Sequence, residues 1–463
     1  MHRRIVSLLA GSALLAGTAL AAVADAAPAV LPDPVPIPLA HVLSGVSFLT
    51  PPTTAECEKQ IGIACYAPFQ YHKAYNLAPL YNKGFDGKGE TIVIVDSYGF
   101  QFIRSELATF DKSFGLPAPP SFKIIQPAGP VPPYNPKKRP MMVGWAEETS
   151  LDVQYSHAMA PGANILLVET PIAETLGVTG FPQIVEAENY VVNHHLGTVI
   201  TQSFAAPEQT FPSAQSILNL RSAYKNAAAN GVSVLAAAGD GGATGAKTLT
   251  AQGFASSFFL HRVVSWPATD PLVTAVGGTQ MHLNSSGGHK WPDSVWNDTK
   301  LFGSPAAGSG GRSTVFNRPS YQNGVAGVVG TARGVPDISM SAAVNGAALV
   351  YLDSAVTGGP AGFYLIGGTS EASPLLAGVV AIADQYAGHG LGLLNPALYK
   401  MEADHDPGIV DVTEGYNTVV FPQNGSNHTV PGWPAATGYD LASGVGTVNA
   451  ALFVPELAAA ASG

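Results

Sequence analysis

Gly368-Thr369-Ser370-Glu371-Ala372-Ser373-Pro374 sets a serine in a small, Gly-led turn just ahead of an apolar run, Leu375 to Tyr386. A turn of this kind exposes a hydroxyl at the mouth of a helix, where free N–H groups and a partial positive charge favour developing negative charge. Such a serine suits nucleophilic attack. The same residues would equally serve as an N-cap before a core helix, so the rest of the chain must decide. A serine nucleophile needs a base. The chain has 12 His, none in a His-Gly-Thr setting beside small residues. It offers carboxylates instead. Glu148 and Asp152 in Glu148-Thr149-Ser150-Leu151-Asp152 are four apart, on one face of a helix. Glu147 is the rival, but it sits five positions from Asp152, about 140° round the helix. Leu151, Val153 and Met159-Ala160-Pro161-Gly162-Ala163 give the pair an apolar setting, in which two carboxylates share a proton. A third candidate is Asp240, framed by glycines at the end of Val234-Leu235-Ala236-Ala237-Ala238-Gly239. Protonated, it would donate a hydrogen bond to an oxyanion. Taken singly, the pair also reads as a solvated acidic face and Asp240 as a turn residue.

These side chains need a frame. Short apolar runs at Thr91–Asp96, Asn164–Val168, Thr198–Thr201 and Val232–Ala236 read as buried strands, with later ones at Leu272–Val276 and Ala348–Tyr351. Helical stretches lie between them, at Trp145–Ala158, Phe181–His194 and Ala214–Asn230. Strands alternating with helices imply a parallel sheet covered on both faces, with ligands beyond the carboxyl ends of the strands. Residues 280–315 read as a long surface excursion. There is no internal repeat.

Composition narrows the function. Apolar residues make up 46% of the 463, enough for a sizeable core. The net charge of −10 and the lack of any basic stripe exclude a nucleic-acid binder. His2-Arg3-Arg4, the apolar run Ile5 to Ala22 and Ala24-Asp25-Ala26 predict a cleaved secretion signal over 1–26, and no later run is long enough to span a bilayer. The protein is therefore expected outside the cell, free of the membrane after cleavage. Residues 27–66 form a Pro/Ala-rich arm, expected to be loose at least to residue 56. Its Cys57 and Cys65 suit a disulfide closing a short loop. Residues 67–463 make up the remaining domain.

From about Tyr66 to Val454 these motifs resemble the sedolisins, or serine-carboxyl peptidases, relatives of the subtilisins. The Gly-Thr-Ser-x-x-x-Pro turn is common to both groups. A subtilisin would carry its catalytic His just upstream of an Ala-Pro segment like Ala160-Pro161, where this chain has Glu148 and Asp152. A subtilisin would follow Ala-Ala-Gly with Asn, where this chain has Asp240. Val276-Gly277-Gly278-Thr279 and Arg333-Gly334-Val335-Pro336-Asp337 look like further family segments of a structural kind.

The resemblance implies an α/β, subtilisin-like three-layer sandwich with a mainly parallel central sheet and helices on both faces. It implies a secreted serine-type endopeptidase acting on protein or peptide substrates. Ser370 would be the nucleophile, Glu148 the general base and then acid, and Asp152 its proton-sharing partner. Asp240, with the Ser370 N–H, would form the oxyanion hole. Asp96 mimics the subtilisin acid and is read as structural. An acidic pH optimum follows, because Asp240 must hold a proton to donate. The family also implies one structural Ca2+, held by Asp411 and Asp440 through carboxylates and by Val412, Ala436 and Gly438 through carbonyls. Ala436 stands where Gly is common. Family members usually carry a long N-terminal activation domain, and only about forty residues separate the signal from the family-like region here. The competing expectation is a secreted binding protein on an inactive peptidase scaffold.

Overall fold

A computed structural model describes residues 41–43 and 45–462. The signal segment and the first part of the arm lie outside the described residues. The centre is an eight-stranded sheet. Its main path runs Ser294–Val295, Thr274–Gln280, Ser233–Ala237, Val199–Gln202, Thr91–Ser97, Asn164–Thr170 and Phe122–Ile125, with Ile338–Ser341 also pairing with Thr274–Gln280. Every pairing is parallel except that of Ser294–Val295. The six strands expected from sequence are present; five have ends within two residues of the expected ones, Thr274–Gln280 runs four residues past its expected end, and Ala347–Leu352 lies in a second sheet.

Alternation along each strand divides the core in two. Ile92 and Ile94 face the helices Met142–Met159 and Thr369–Ala387, while Val93 and Val95 face Phe181–Asn193 and Ser222–Ala229. Both faces are covered, so these strands read as continuous apolar runs. The Met142–Met159 helix is buried over nearly its whole circumference, as expected of a helix packed between layers. A Cβ on Gly378 would lie 2.4 Å from the Met159 Cβ, so glycine there lets the two central helices approach closely.

Three expectations change. The stretch expected as one helix over 214–230 is two, Ala214–Leu218 and Ser222–Ala229. Residues 280–315 are no surface excursion, because Met281, Leu283, Trp296, Phe302, Ala306 and Ala307 are buried. The described part of the arm is not loose. His41–Val42 joins a second sheet with Gly362–Gly367, Ala347–Leu352 and Cys65–Tyr66, and Thr54–Ile61 is a helix opened by a Thr53/Glu56 capping box. Cys57 and Cys65 are disulfide-bonded, with Cα atoms 6.0 Å apart. Among the described residues no helix is long and apolar enough to cross a membrane.

Candidate active site

Ser370 is the second residue of the Thr369–Ala387 helix, and Gly368 before it has φ +119°, a conformation that favours glycine. Pro374 sits in the next turn and has no N–H to bond the Ser370 carbonyl. That carbonyl accepts instead from the Ser203 hydroxyl at 3.4 Å, and the Ser370 hydroxyl donates to the Ser203 carbonyl at 3.4 Å. Ser203 follows the Val199–Gln202 strand at its carboxyl end, where the parallel-sheet rule places sites.

Glu148 and Asp152 project from the Met142–Met159 helix and are fully buried, whereas Glu147 is only half-buried. The Ser203 hydroxyl donates to Asp152 Oδ1 at 2.8 Å. Asp152 Oδ2 has no hydrogen-bond partner among the described residues. Burial drives Glu148 well above the usual carboxylate range, the charges of Asp152 and Asp96 add to this, and a hydrogen bond with Ser370 partly opposes it. Asp152 is raised by burial and then by Asp96, against the Ser203 hydrogen bond. Asp96, at the carboxyl end of its strand, is pushed up to about 7 by burial, with Thr149 opposing and Glu169 adding. Asp96 was read as structural, yet its charge bears directly on both members of the pair.

Asp240 lies just beyond the Ser233–Ala237 strand. Its Oδ1 accepts from the Thr369 N–H at 2.8 Å and from the Thr369 hydroxyl at 2.6 Å, and that hydroxyl accepts in turn from the Gly239 N–H at 3.1 Å. The turn is pinned by the Ala307 N–H, which donates to the Asp240 carbonyl at 3.0 Å, and by the Gly241 N–H, which donates to Ser309 Oγ at 3.1 Å. Part of the stretch misread as an excursion thus builds the site. Asp240 Oδ2 faces His41 Nε2 at 3.1 Å.

All four acid and hydroxyl groups therefore gather at the carboxyl edge of the sheet. Ser370 touches Glu148, Ser203 ties Asp152 to the Ser370 turn, and Asp240 is bonded to the residue before Ser370.

The sequence profile of the Subtilase family matches residues 142–401, more than half of the chain. Kumamolisin from Bacillus sp. (strain MN-32) is 32% identical over 397 residues, which cover 84% of this chain and 64% of kumamolisin. The solved structure of Pseudomonas sedolisin, a serine-carboxyl proteinase complexed with pseudo-iodotyrostatin, aligns with a TM-score of 0.68 at 24% identity, over 86% of this chain and 99% of that one. The chain belongs to the subtilase family, in its sedolisin branch. Human tripeptidyl-peptidase 1 is also similar, 29% identical over 310 residues, 63% of this chain and 49% of that protein. The chain spans less than two thirds of the length of the first curated relatives it matches, 64% of kumamolisin and 42% of tripeptidyl-peptidase sed4 from Aspergillus fumigatus.

The residues expected to hold Ca2+ make two separate sets of contacts, one at Asp411 and one at Asp440. The Gly438 N–H donates to Asp411 Oδ2 and the Ala436 N–H to Asp440 Oδ2, each at 2.8 Å. The Ser443 hydroxyl lies 3.1 Å from both Asp440 oxygens and 3.5 Å from the Val412 carbonyl. Both carboxylates thus accept from backbone N–H groups, and of the expected carbonyl ligands only that of Val412 is near, across the Ser443 hydroxyl. Among the described residues no cluster of three or more His, Cys, Asp or Glu forms a metal site.

Sequence reasoning missed Ser203, Thr369 and His41. Ser203 had a usable signal, since it follows an apolar strand. His41 had none, because a strand of two residues carries no periodicity.

Proposed function

We propose that this chain is a serine-carboxyl peptidase that hydrolyses peptide bonds of protein or peptide substrates. The observation that carries the reading is the buried Glu148–Asp152 pair, with Glu148 in contact with Ser370. One proton resides on the pair. When Asp152 holds it on Oδ2, Glu148 is free to accept the Ser370 proton as Oγ attacks the substrate carbonyl. Glu148 then protonates the leaving amine. Water, deprotonated by Glu148, later attacks the acyl-enzyme and releases the acid. Asp240, protonated on Oδ2, donates to the oxyanion together with the Ser370 N–H. At high pH an ionised Asp240 repels that oxyanion, so an acidic optimum is expected.

The expected action is endopeptidase cleavage outside the cell after signal removal. Removal of amino-terminal tripeptides is the second reading, favoured by relatives named tripeptidyl-peptidases. Residues 411–412 and 436–440 would hold one Ca2+ and so pin that loop near the nucleophile helix rather than do chemistry; no step passes through it.

The test is cleavage of a peptide library over a pH series, with Ser370→Ala as control. Internal cuts in amino-terminally blocked peptides, with a maximum below about pH 7, are expected. A maximum above that, or no cleavage by the wild type, contradicts the mechanism; the latter outcome would favour an inactive binding scaffold.

A further inference from the structure

A cavity of about 250 Å³ opens at the carboxyl ends of three neighbouring strands, Thr91–Ser97, Asn164–Thr170 and Phe122–Ile125. Drug-sized ligands occupy cavities of about 300–1,000 Å³, so this one suits a single long side chain. One wall is Met142, at the start of the helix that carries Glu148; others are aromatic, from Tyr98, Phe100 and Tyr134. The Phe100 and Tyr134 rings meet edge to face at 5.3 Å. Of the described residues that line the cavity, Glu169 alone is charged.

Glu169 is 94% buried and held in place. Its Oε2 accepts from Gln126 Nε2 at 2.7 Å, and Gln126 Oε1 accepts from the Val131 N–H at 3.1 Å. The carboxylate thus ties down the Pro-rich segment that closes one side of the cavity. Gly99, with φ +63°, makes room for it, because a Cβ there would overlap Glu169 Oε1. Burial raises Glu169 and the Gln126 hydrogen bond opposes this. A cation in the cavity would offset the same cost. The chain supplies none there. Lys123 alternates to the other face of its strand from Ile124, and Lys137, Lys138 and Arg139 are exposed and do not line the cavity. The surroundings add negative charge, since Glu147 and Glu106 are both felt at the Tyr134 hydroxyl. A carboxylate under aromatic rings is a receptor for an ammonium or guanidinium group.

The cavity also lies within reach of the chemistry. Glu169 pairs in register with Asp96, so its side chain leaves the sheet on the same face as Ile94 and Leu167, beneath the Met142–Met159 helix. Its charge is felt at Asp96, and that of Asp96 at Glu148 and Asp152. Met142 precedes Glu148 by six residues, about 9 Å along a helix axis. An extended substrate covers that distance in about three residues.

We propose that the Glu169 cavity is a specificity subsite for a lysine or arginine side chain of the substrate, about three residues from the scissile bond. The proposal rests on the peptidase reading above.

The test begins with the wild-type full chain on a peptide library. Lysine and arginine should be enriched at one position about three residues from the cut. Two peptides that differ only there, one with lysine and one with norleucine, are then assayed for kcat/KM. The wild type should favour the lysine peptide by about tenfold or more. Glu169→Gln should bring that ratio close to one, and Tyr134→Leu should lower it by about two- to tenfold. Reading a ratio within each enzyme cancels any effect of the substitution on the acid groups. A wild type without the enrichment, or a ratio unmoved in Glu169→Gln, overturns the subsite while cleavage of the norleucine peptide leaves the peptidase standing. If Glu169→Gln cleaves neither peptide, an unmoved ratio in Tyr134→Leu overturns the subsite instead. A wild type that cleaves no peptide overturns the peptidase reading, and the subsite with it.

Discussion

Two sets of carboxylates are buried in this molecule, and they are kept in opposite charge states. Asp337 and Asp270 are matched by arginine. Arg333 grips both oxygens of Asp337, which also accept from the Tyr399 hydroxyl at 2.9 Å and the Ala275 N–H at 2.8 Å. Arg221 grips Asp270 through bonds of 2.6 and 2.8 Å. Glu148, Asp152 and Asp96 are all raised chiefly by burial, with the charge of Asp152 and Asp96 adding at Glu148, Asp96 at Asp152 and Glu169 at Asp96. The first arrangement fixes charge and holds segments together. The second holds protons, and held protons are what a serine without an imidazole requires. Burial alone therefore says little about a carboxylate's role; its partner says more.

The sharpest way to break this contrast is substitution in each set. Ser370→Ala and Glu148→Gln should each lower kcat/KM by about 10³-fold or more, with the fold intact by circular dichroism. Arg333→Met should cost about 3–5 kcal/mol of stability in urea titration, because it strands a buried charge. If Glu148→Gln destabilised as much as Arg333→Met, the distinction between the two sets would fail. Asp240→Asn keeps a donor. It should carry the alkaline limb of the pH profile toward neutrality, with a loss under about 10²-fold at the acid maximum; an unmoved limb would remove Asp240 from the oxyanion role.

Stability against pH sharpens the same contrast. Asp96 at about 7, and Glu106, Glu371 and Asp384 at about 8, are all raised above their unfolded values. The fold therefore holds protons that the unfolded chain releases. Their stabilising contribution is complete below the unfolded values, near pH 4, and is lost as pH rises through about 7 to 8. Melting temperature should fall across that interval, and a rising one would contradict the shifts. The smallest expected effect is a modest fall in melting temperature on chelation, checked by restoring Ca2+.

The parts of the site legible in the sequence are those whose geometry is local. Residues four apart on a helix, a glycine turn ahead of an apolar run and a carboxylate beyond a strand all follow from backbone periodicity. What depends on distant pairing was not legible. Ser203 reaches Asp152 only because the sheet order brings the Val199–Gln202 strand beneath the Thr369–Ala387 helix. The burial of Trp296 and Phe302 depends on packing that a Gly- and Ser-rich stretch does not announce. The two-residue His41–Val42 strand gives no pattern at all, and its weight comes wholly from what it touches.

The central claim is that the Glu148–Asp152 pair retains a shared proton where ordinary carboxylates would have lost it. Infrared difference spectra of the carboxyl C=O band, wild type minus Glu148→Gln over pH 4 to 8, test this directly. A protonated band that persists well above the ordinary glutamate value of about 4.3, and is absent in the variant, is the predicted result. Loss of that band near pH 4, as for an exposed side chain, would contradict it.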